Sequence, residues 1–168
     1  EPMRRLQRAA LLRSEVVERQ TPAVTWHDTM PEVPAGPAIV IANEFLDALP
    51  IRQLVHDGRA WRERVVALGP DGALKLAAGD TVEFESASSA SEGAIVELRA
   101  GEDELLAALA ARTAPHAALL IDYGPAELTF GDTLQALRGH AYTDPLAEPG
   151  AADLTAHVQF AALARKAR

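Results

Sequence analysis

Two runs of uninterrupted apolar residues, AIVIA at 38–42 and the AALLI of HAALLIDYG at 116–124, each break off on polar groups. The first opens into Asn43, Glu44 and, three residues on, Asp47; the second opens into Asp122, Tyr123 and Gly124. Continuous rather than alternating hydrophobicity predicts strands buried on both faces, as in a parallel sheet covered by helices. Before the second run, residues 102–113 place Leu105, Leu106, Leu109 and Ala110 on one helical face. Strand, helix, strand in this style predicts an α/β sheet. Upstream, Met3, Leu6, Ala10, Leu11 and Val17 recur at helical spacing over 3–18, after a proline at position 2 that suits a first turn. AVTWHD at 23–28 predicts a further strand, and MPEVPAGP at 30–37, with its three prolines, a loop.

The segment 51–85 has a different rhythm. Asp57-Gly58 and Pro70-Asp71-Gly72 are turn signals, flanked by Val, Leu and Trp, so IRQLVHDG and WRERVVALGPDGALKLAA predict an antiparallel meander inserted into the α/β unit. SASSASEG at 86–93 is low in complexity and predicts a connection. The organisation expected is a central α/β part at 1–50, a meander and linker at 51–92, and a continuation of the core at 93–168. The last stretch, DLTAHVQFAALARKAR, predicts a helix starting at Asp153 or Thr155 and running to the end.

Charge and composition narrow the functions available. A formal net charge of −8 over 168 residues argues against nucleic acid as a partner, since phosphate binding needs a concentrated positive surface. The absence of cysteine removes thiolate chemistry, and the five histidines never approach metal-ligand spacing, so no metal is expected. No stretch is apolar enough for a membrane span, and the start lacks the pattern of a secretory signal. A cytoplasmic location follows as an expectation, with a bacterial origin suggested by the Ala-, Arg- and Gly-rich usage.

In open parallel sheets, ligands sit beyond the carboxyl ends of the strands. Three such ends are polar here: His27-Asp28, Asn43-Glu44-Asp47 and Asp122-Tyr123-Gly124. They are expected to line one rim. Each has a plainer reading as well. Asp47 can close a local turn before Pro50, Glu44 can pair with Arg62 or Arg64, and Trp26, Trp61, Tyr123, His140 and His157 can serve packing alone.

ANEFLDALP, WRERVV, LLIDYG and GDTLQALRGHAYTDPLAEPGAADLTAHVQF, in this order, resemble the MidA-like family, a branch of the class I S-adenosylmethionine-dependent methyltransferases. The resemblance covers nearly the whole chain. It implies part of a Rossmann-like class I methyltransferase sheet with the meander as an insertion, S-adenosyl-L-methionine as cofactor, and arginine N-methylation of a protein substrate. For the mitochondrial relative that substrate is a subunit of respiratory complex I. The family's glycine-rich loop has no counterpart in these residues, so the resemblance places this chain in the second part of such an enzyme.

Carried over by position, Glu1 would accept the cofactor's ribose hydroxyls, His27 and Asp28 would lie near the adenine, and Asn43 would face the methionine end. Glu44 would orient the substrate guanidinium, with Asp47 assisting or holding the loop. Relatives usually carry Asp where this chain has Gln159. The resemblance also predicts an uncovered sheet edge and apolar helix faces, hence self-association as a homodimer or poor solubility. Two other functions stay open: a non-catalytic assembly or scaffold protein with this fold, and a methyltransferase for another substrate.

Overall fold

The computed structural model describes residues 2–13, 24–85, 89–127 and 130–167, and the chain falls into two units, residues 1–35 and 36–168. The first unit holds α1 (Pro2–Arg13) and a single 3-10 turn at Met30–Glu32. Residues 14–23, over which the 3–18 helix was expected to continue, lie outside the described residues, as does Glu1. The strand expected at 23–28 does not form over 24–27, which carry no regular structure. A strand needs a ladder partner, and here side chains do the holding instead. The Trp26 indole N–H donates to Gln7 Oε1 at 2.8 Å, the Arg8 guanidinium lies 4.6 Å over the Trp26 ring, and Asp28 N–H donates to Glu32 Oε2 at 3.0 Å.

In the second unit the elements run β1 (Ala38–Asn43), β2 (Arg52–His56), β3 (Trp61–Leu68), β4 (Leu74–Val82), β5 (Ile95–Leu98), α2 (Ala100–Ala110), β6 (His116–Ile121), β7 (Gln135–Arg138), β8 (Ala141–Thr143), β9 (Asp153–Thr155) and α3 (Phe160–Lys166). β1 and β6 pair in parallel, in register from Ala38↔His116 to Asn43↔Ile121. Both apolar runs therefore end at the same place. Leu120 of β6 packs with Leu105 and Leu106 of α2 and Phe160 of α3 around buried Leu46, Val158 and Leu163. Each such side chain contributes about 1.5–3 kcal/mol on burial.

The expectation of two covered faces is corrected here. Along a strand, neighbouring side chains point to opposite faces, and the face opposite Leu120 is open. Ile39 is 81% exposed, Ile41 68%, Leu119 55% and Ile121 45%. The helices cover one side of the pair, and among the described residues of this unit nothing covers the other.

The meander forms as its turn residues dictate. Its antiparallel order is β4-β3-β2-β5, so β5 completes the sheet from beyond the 86–93 connection, of which residues 86–88 lie outside the described set. Gly58 and Gly72 adopt φ of 89° and 79°, values open to glycine at little cost. Asp57 Oδ1 accepts the N–H groups of Arg59 and Ala60, both at 2.9 Å. The Arg62 guanidinium on its other oxygen, followed by those two N–H bonds, holds the Asp57 carboxyl well below the ordinary carboxylate range.

A third sheet, β8-β7-β9, corrects the expected helix start at Asp153 or Thr155. Those residues are a strand paired with β7 (Gln135↔Thr155, Leu137↔Asp153), and the helix begins only at Phe160. Asp and Thr favour helix caps locally, but pairing with a strand some twenty residues away takes precedence here. β7 turns into β8 through Gly139 and His140, both at positive φ (55° and 66°), as a two-residue hairpin requires.

Candidate active site

The rim is assembled from the loop after β1, the loop after β6 and the segment 155–158. Asn43 ends β1 with its side chain exposed. Glu44 follows at φ 46°, a left-handed conformation uncommon for a residue with a Cβ, and its N–H donates to Ile121 O at 2.8 Å. This bond carries the β1–β6 pairing one residue past the ladder and turns the chain sharply. The Glu44 side chain is left exposed, and no donor among the described residues is bonded to its carboxylate. The two arginines that might have claimed it are engaged elsewhere: Arg62 with Asp57, Arg64 with Asp132 at 2.7 Å.

Asp122, at the end of β6, holds the opposite loop in place. Its Oδ2 accepts Leu46 N–H at 2.9 Å and Asp47 N–H at 3.2 Å, while Oδ1 accepts Tyr123 N–H at 2.9 Å. The segment 156–158 closes the third side: Ala156 N–H donates to Asp47 O at 3.0 Å and Val158 N–H to Tyr123 O at 3.1 Å. Gly124 permits that approach, because a Cβ there would stand 2.0 Å from Val158 O. Behind the rim, the buried Arg99 guanidinium donates to Leu46 O and to the carbonyls of Ala156 (3.4 Å) and His157 (3.3 Å), and pairs with Glu102 at 2.5 Å. One side chain thus joins the β1 loop, the 156–157 segment and the start of α2. Desolvation pushes the Glu102 carboxyl above its ordinary value, with the Arg99 charge opposing.

Asp47 is the buried acid of the site, 3% exposed. The turn it occupies closes through Leu49 N–H to Leu46 O at 3.1 Å, yet its side chain does not cap that turn. Instead Oδ2 accepts the Tyr123 hydroxyl at 2.6 Å, and Oδ1 has no hydrogen-bond partner among the described residues. The bond to Asp47, then desolvation, push the Tyr123 hydroxyl up to about 12; Thr155 acts in the opposite sense, and the Asp47 and Glu44 charges add to the rise. The Tyr123 ring meets His157 edge-on at 5.9 Å.

Of the residues expected at the site, Asn43, Glu44 and Asp47 come together beside Asp122. His27 and Asp28 belong to the other unit, where His27 Nε2 bonds Thr25 Oγ1 at 3.0 Å and Asp28 pairs with Arg4. Glu1 lies outside the described residues. Sequence reasoning left Arg99 without a role and gave Tyr123 none beyond its place at a polar strand end. The position of Tyr123 beside Asp122 at a strand end was a usable signal, whereas Arg99 reaches its partners 53 to 58 residues away in sequence.

The whole of residues 1–168 matches the family described as "Putative S-adenosyl-L-methionine-dependent methyltransferase". The chain is 34% identical over 151 residues to the zebrafish (Danio rerio) protein arginine methyltransferase NDUFAF7, mitochondrial, covering 86% of this chain and 36% of that protein. The mouse (Mus musculus) protein of the same name is 35% identical over 153 residues, with 86% and 34% covered. The chain thus spans about a third of the length of these curated relatives. Among solved structures, a Burkholderia thailandensis protein in its native form matches with TM-score 0.79 and 29% identity, over 98% of this chain and 46% of that one. A Burkholderia thailandensis protein bound to S-adenosyl-homocysteine matches with TM-score 0.71 and 29% identity, over 85% and 40%. With the parallel strands, their polar carboxyl ends and the match over its full length, this chain belongs to the S-adenosyl-L-methionine-dependent methyltransferase family.

Proposed function

We propose that this chain forms the substrate-facing part of a methyltransferase that modifies an arginine of a protein, with S-adenosyl-L-methionine as donor. The observation that carries the reading is Glu44, a carboxylate without a partner among the described residues, on a left-handed residue at the carboxyl end of a parallel strand. The relatives named as protein arginine methyltransferases support the substrate class. The resemblance to the MidA-like family adds the finer assignment, an arginine on a subunit of respiratory complex I. The Burkholderia thailandensis structures support a bacterial setting, whereas the curated relatives carry mitochondrial names.

The rim suits a cationic donor and a cationic acceptor. Glu44 and Asp47 supply negative charge, Asp47 Oδ1 is a buried acceptor without a partner among the described residues, and Asn43 offers an exposed amide. In this proposal Asn43 holds the methionine end of the cofactor. When bound, that cofactor supplies a methyl group activated on sulfonium sulfur.

A guanidinium is a poor nucleophile because its charge is delocalised over three nitrogens. Glu44 accepts two of its N–H groups in a planar, charge-assisted pair, fixing the plane and drawing positive charge away from the attacking nitrogen. Asp47 assists from the same cluster. The rigid loops behind them hold this alignment, which supplies much of the rate enhancement for a displacement of this kind. A carboxylate beside the nitrogen also receives the proton released after transfer.

The test is Glu44→Gln in the full chain, assayed on an arginine-containing protein substrate. The rate is expected to fall about 100-fold or more. A wild-type rate would remove Glu44 from the reaction, and no methylation by the unsubstituted protein would favour a scaffold role.

A further inference from the structure

Asp47 presents a physical problem that the fold does not solve. Buried polar groups are normally bonded, and a buried charged oxygen without a donor is costly. This carboxylate is 3% exposed, one oxygen takes the Tyr123 hydroxyl at 2.6 Å, and the other has no hydrogen-bond partner among the described residues. It sits on a backbone pinned at both ends, by Asp122 Oδ2 on its N–H at 3.2 Å and by the Ala156 N–H on its carbonyl at 3.0 Å. The loop therefore cannot shift to fill the vacancy.

A structural role is met by Oδ2 alone, since a neutral amide oxygen would accept the tyrosine hydroxyl in the same way. The negative charge and the second oxygen are surplus to that role. The chain can satisfy a buried acid fully when it needs to. Glu97 takes Gln53 Nε2 at 2.8 Å and Thr133 N–H at 3.0 Å on one oxygen, and the Thr133 hydroxyl at 2.5 Å on the other.

We propose that Asp47 Oδ1 is the acceptor for a cationic N–H group of a ligand, with Tyr123 as the positioning residue that holds it in readiness. The inference rests on the methyltransferase reading and deepens it. The ligand group must be a donor, because the vacancy is an acceptor. It must be cationic, because Asp47 is a buried carboxylate that forms no ion pair among the described residues, and a neutral donor would leave its charge uncompensated. The Tyr123 hydroxyl donates to Asp47 Oδ2 at 2.6 Å, so the carboxylate is oriented before any ligand arrives. Two groups in the proposed reaction share this chemistry: the guanidinium of the acceptor arginine and the ammonium of the cofactor's methionine.

Binding in the full chain separates these sources. The probes are a Gly-Gly-Arg-Gly-Gly peptide against its citrulline counterpart, and S-adenosyl-homocysteine against its deaminated analogue, each measured by calorimetry or fluorescence anisotropy. In Asp47→Asn the hydroxyl of Tyr123 keeps its acceptor while the anionic oxygen is lost. The preference for arginine over citrulline is expected to fall about tenfold or more, with S-adenosyl-homocysteine affinity retained, if the guanidinium is the ligand. Loss of the preference for S-adenosyl-homocysteine over its deaminated analogue, with the peptide preference retained, assigns the ammonium and equally supports the acceptor. A folded Asp47→Asn protein that keeps both preferences overturns the proposal while leaving the methyltransferase reading intact. An unsubstituted protein that binds no S-adenosyl-homocysteine overturns both. Should Asp47→Asn fail to fold, Tyr123→Phe carries the test: its freed carboxylate is expected to weaken the cation preference about threefold, and an unchanged preference overturns the proposal.

Discussion

Glu97 in the meander sheet and Asp47 at the rim are both buried acids held by a hydroxyl from a distant segment, Thr133 in one case and Tyr123 in the other. Around Glu97 the bonds continue outward: Gln53 also reaches Asp132 at 2.9 Å, Arg64 bonds Gln53 Oε1 at 2.8 Å and Asp132 at 2.7 Å, and Thr133 Oγ1 accepts His157 N–H at 2.9 Å. Both Glu97 oxygens are filled, and the network ties the sheet to the segment that closes the rim. Around Asp47 the bonds stop one short. The first acid builds structure; the second is held by structure and left able to bind.

The largest effect that sharpens this contrast is expected from Arg99→Ala. The guanidinium offsets the charge of Glu102, which is 1% exposed, and bonds three carbonyls of the rim. Its loss leaves an uncompensated buried charge and is expected to cost about 3–5 kcal/mol in urea denaturation. A cost below about 1 kcal/mol would mean that the rim does not depend on this clasp.

Glu97→Ala follows, at about 2–3 kcal/mol, because it strands the Thr133 N–H and hydroxyl in a partly buried place. Asp47→Asn, by contrast, is expected to be neutral or to stabilise by about 1 kcal/mol, as relief of an unsatisfied acid at a functional site should. Equal destabilisation by the two substitutions would break the comparison.

The smallest effect is one of pH. Tyr123 is raised from its ordinary value near 10 to about 12 in the folded chain, chiefly by its bond to Asp47. A group with a raised folded value binds its proton more tightly when folded, so its stabilisation is complete below pH 10 and fades as pH rises towards 12. The stability difference between the protein and Tyr123→Phe is expected to be flat below pH 10 and to shrink above it. A difference independent of pH from 9 to about 12 would remove the Tyr123–Asp47 bond from the account.

Much of this architecture was legible in the chain because the forces responsible are local. The runs at 38–42 and 116–121 became the parallel pair with coincident polar ends, and Asp57-Gly58 and Pro70-Asp71-Gly72 turned the meander where glycine's positive φ was needed. The misreadings came from long-range pairing. Asp153 and Thr155 look like helix caps but are drawn into a strand by β7, and Val24 to His27 read as a strand but have no ladder to join. Uninterrupted hydrophobicity predicted cover on both faces, whereas Ile39 and Ile41 stand exposed. At the site, the acids could be found from their place after apolar runs. Their distinct duties could not, because those depend on a tyrosine 76 residues from Asp47 and on which carboxylate oxygen it leaves bare.

The account stands most directly on where the cofactor lies relative to the parallel pair. Crystallography of the full chain with S-adenosyl-homocysteine is expected to place the methionine end beside Asn43 and Glu44, at the carboxyl ends of β1 and β6. Density at the Ala38 and His116 end instead, or away from this sheet altogether, would contradict it.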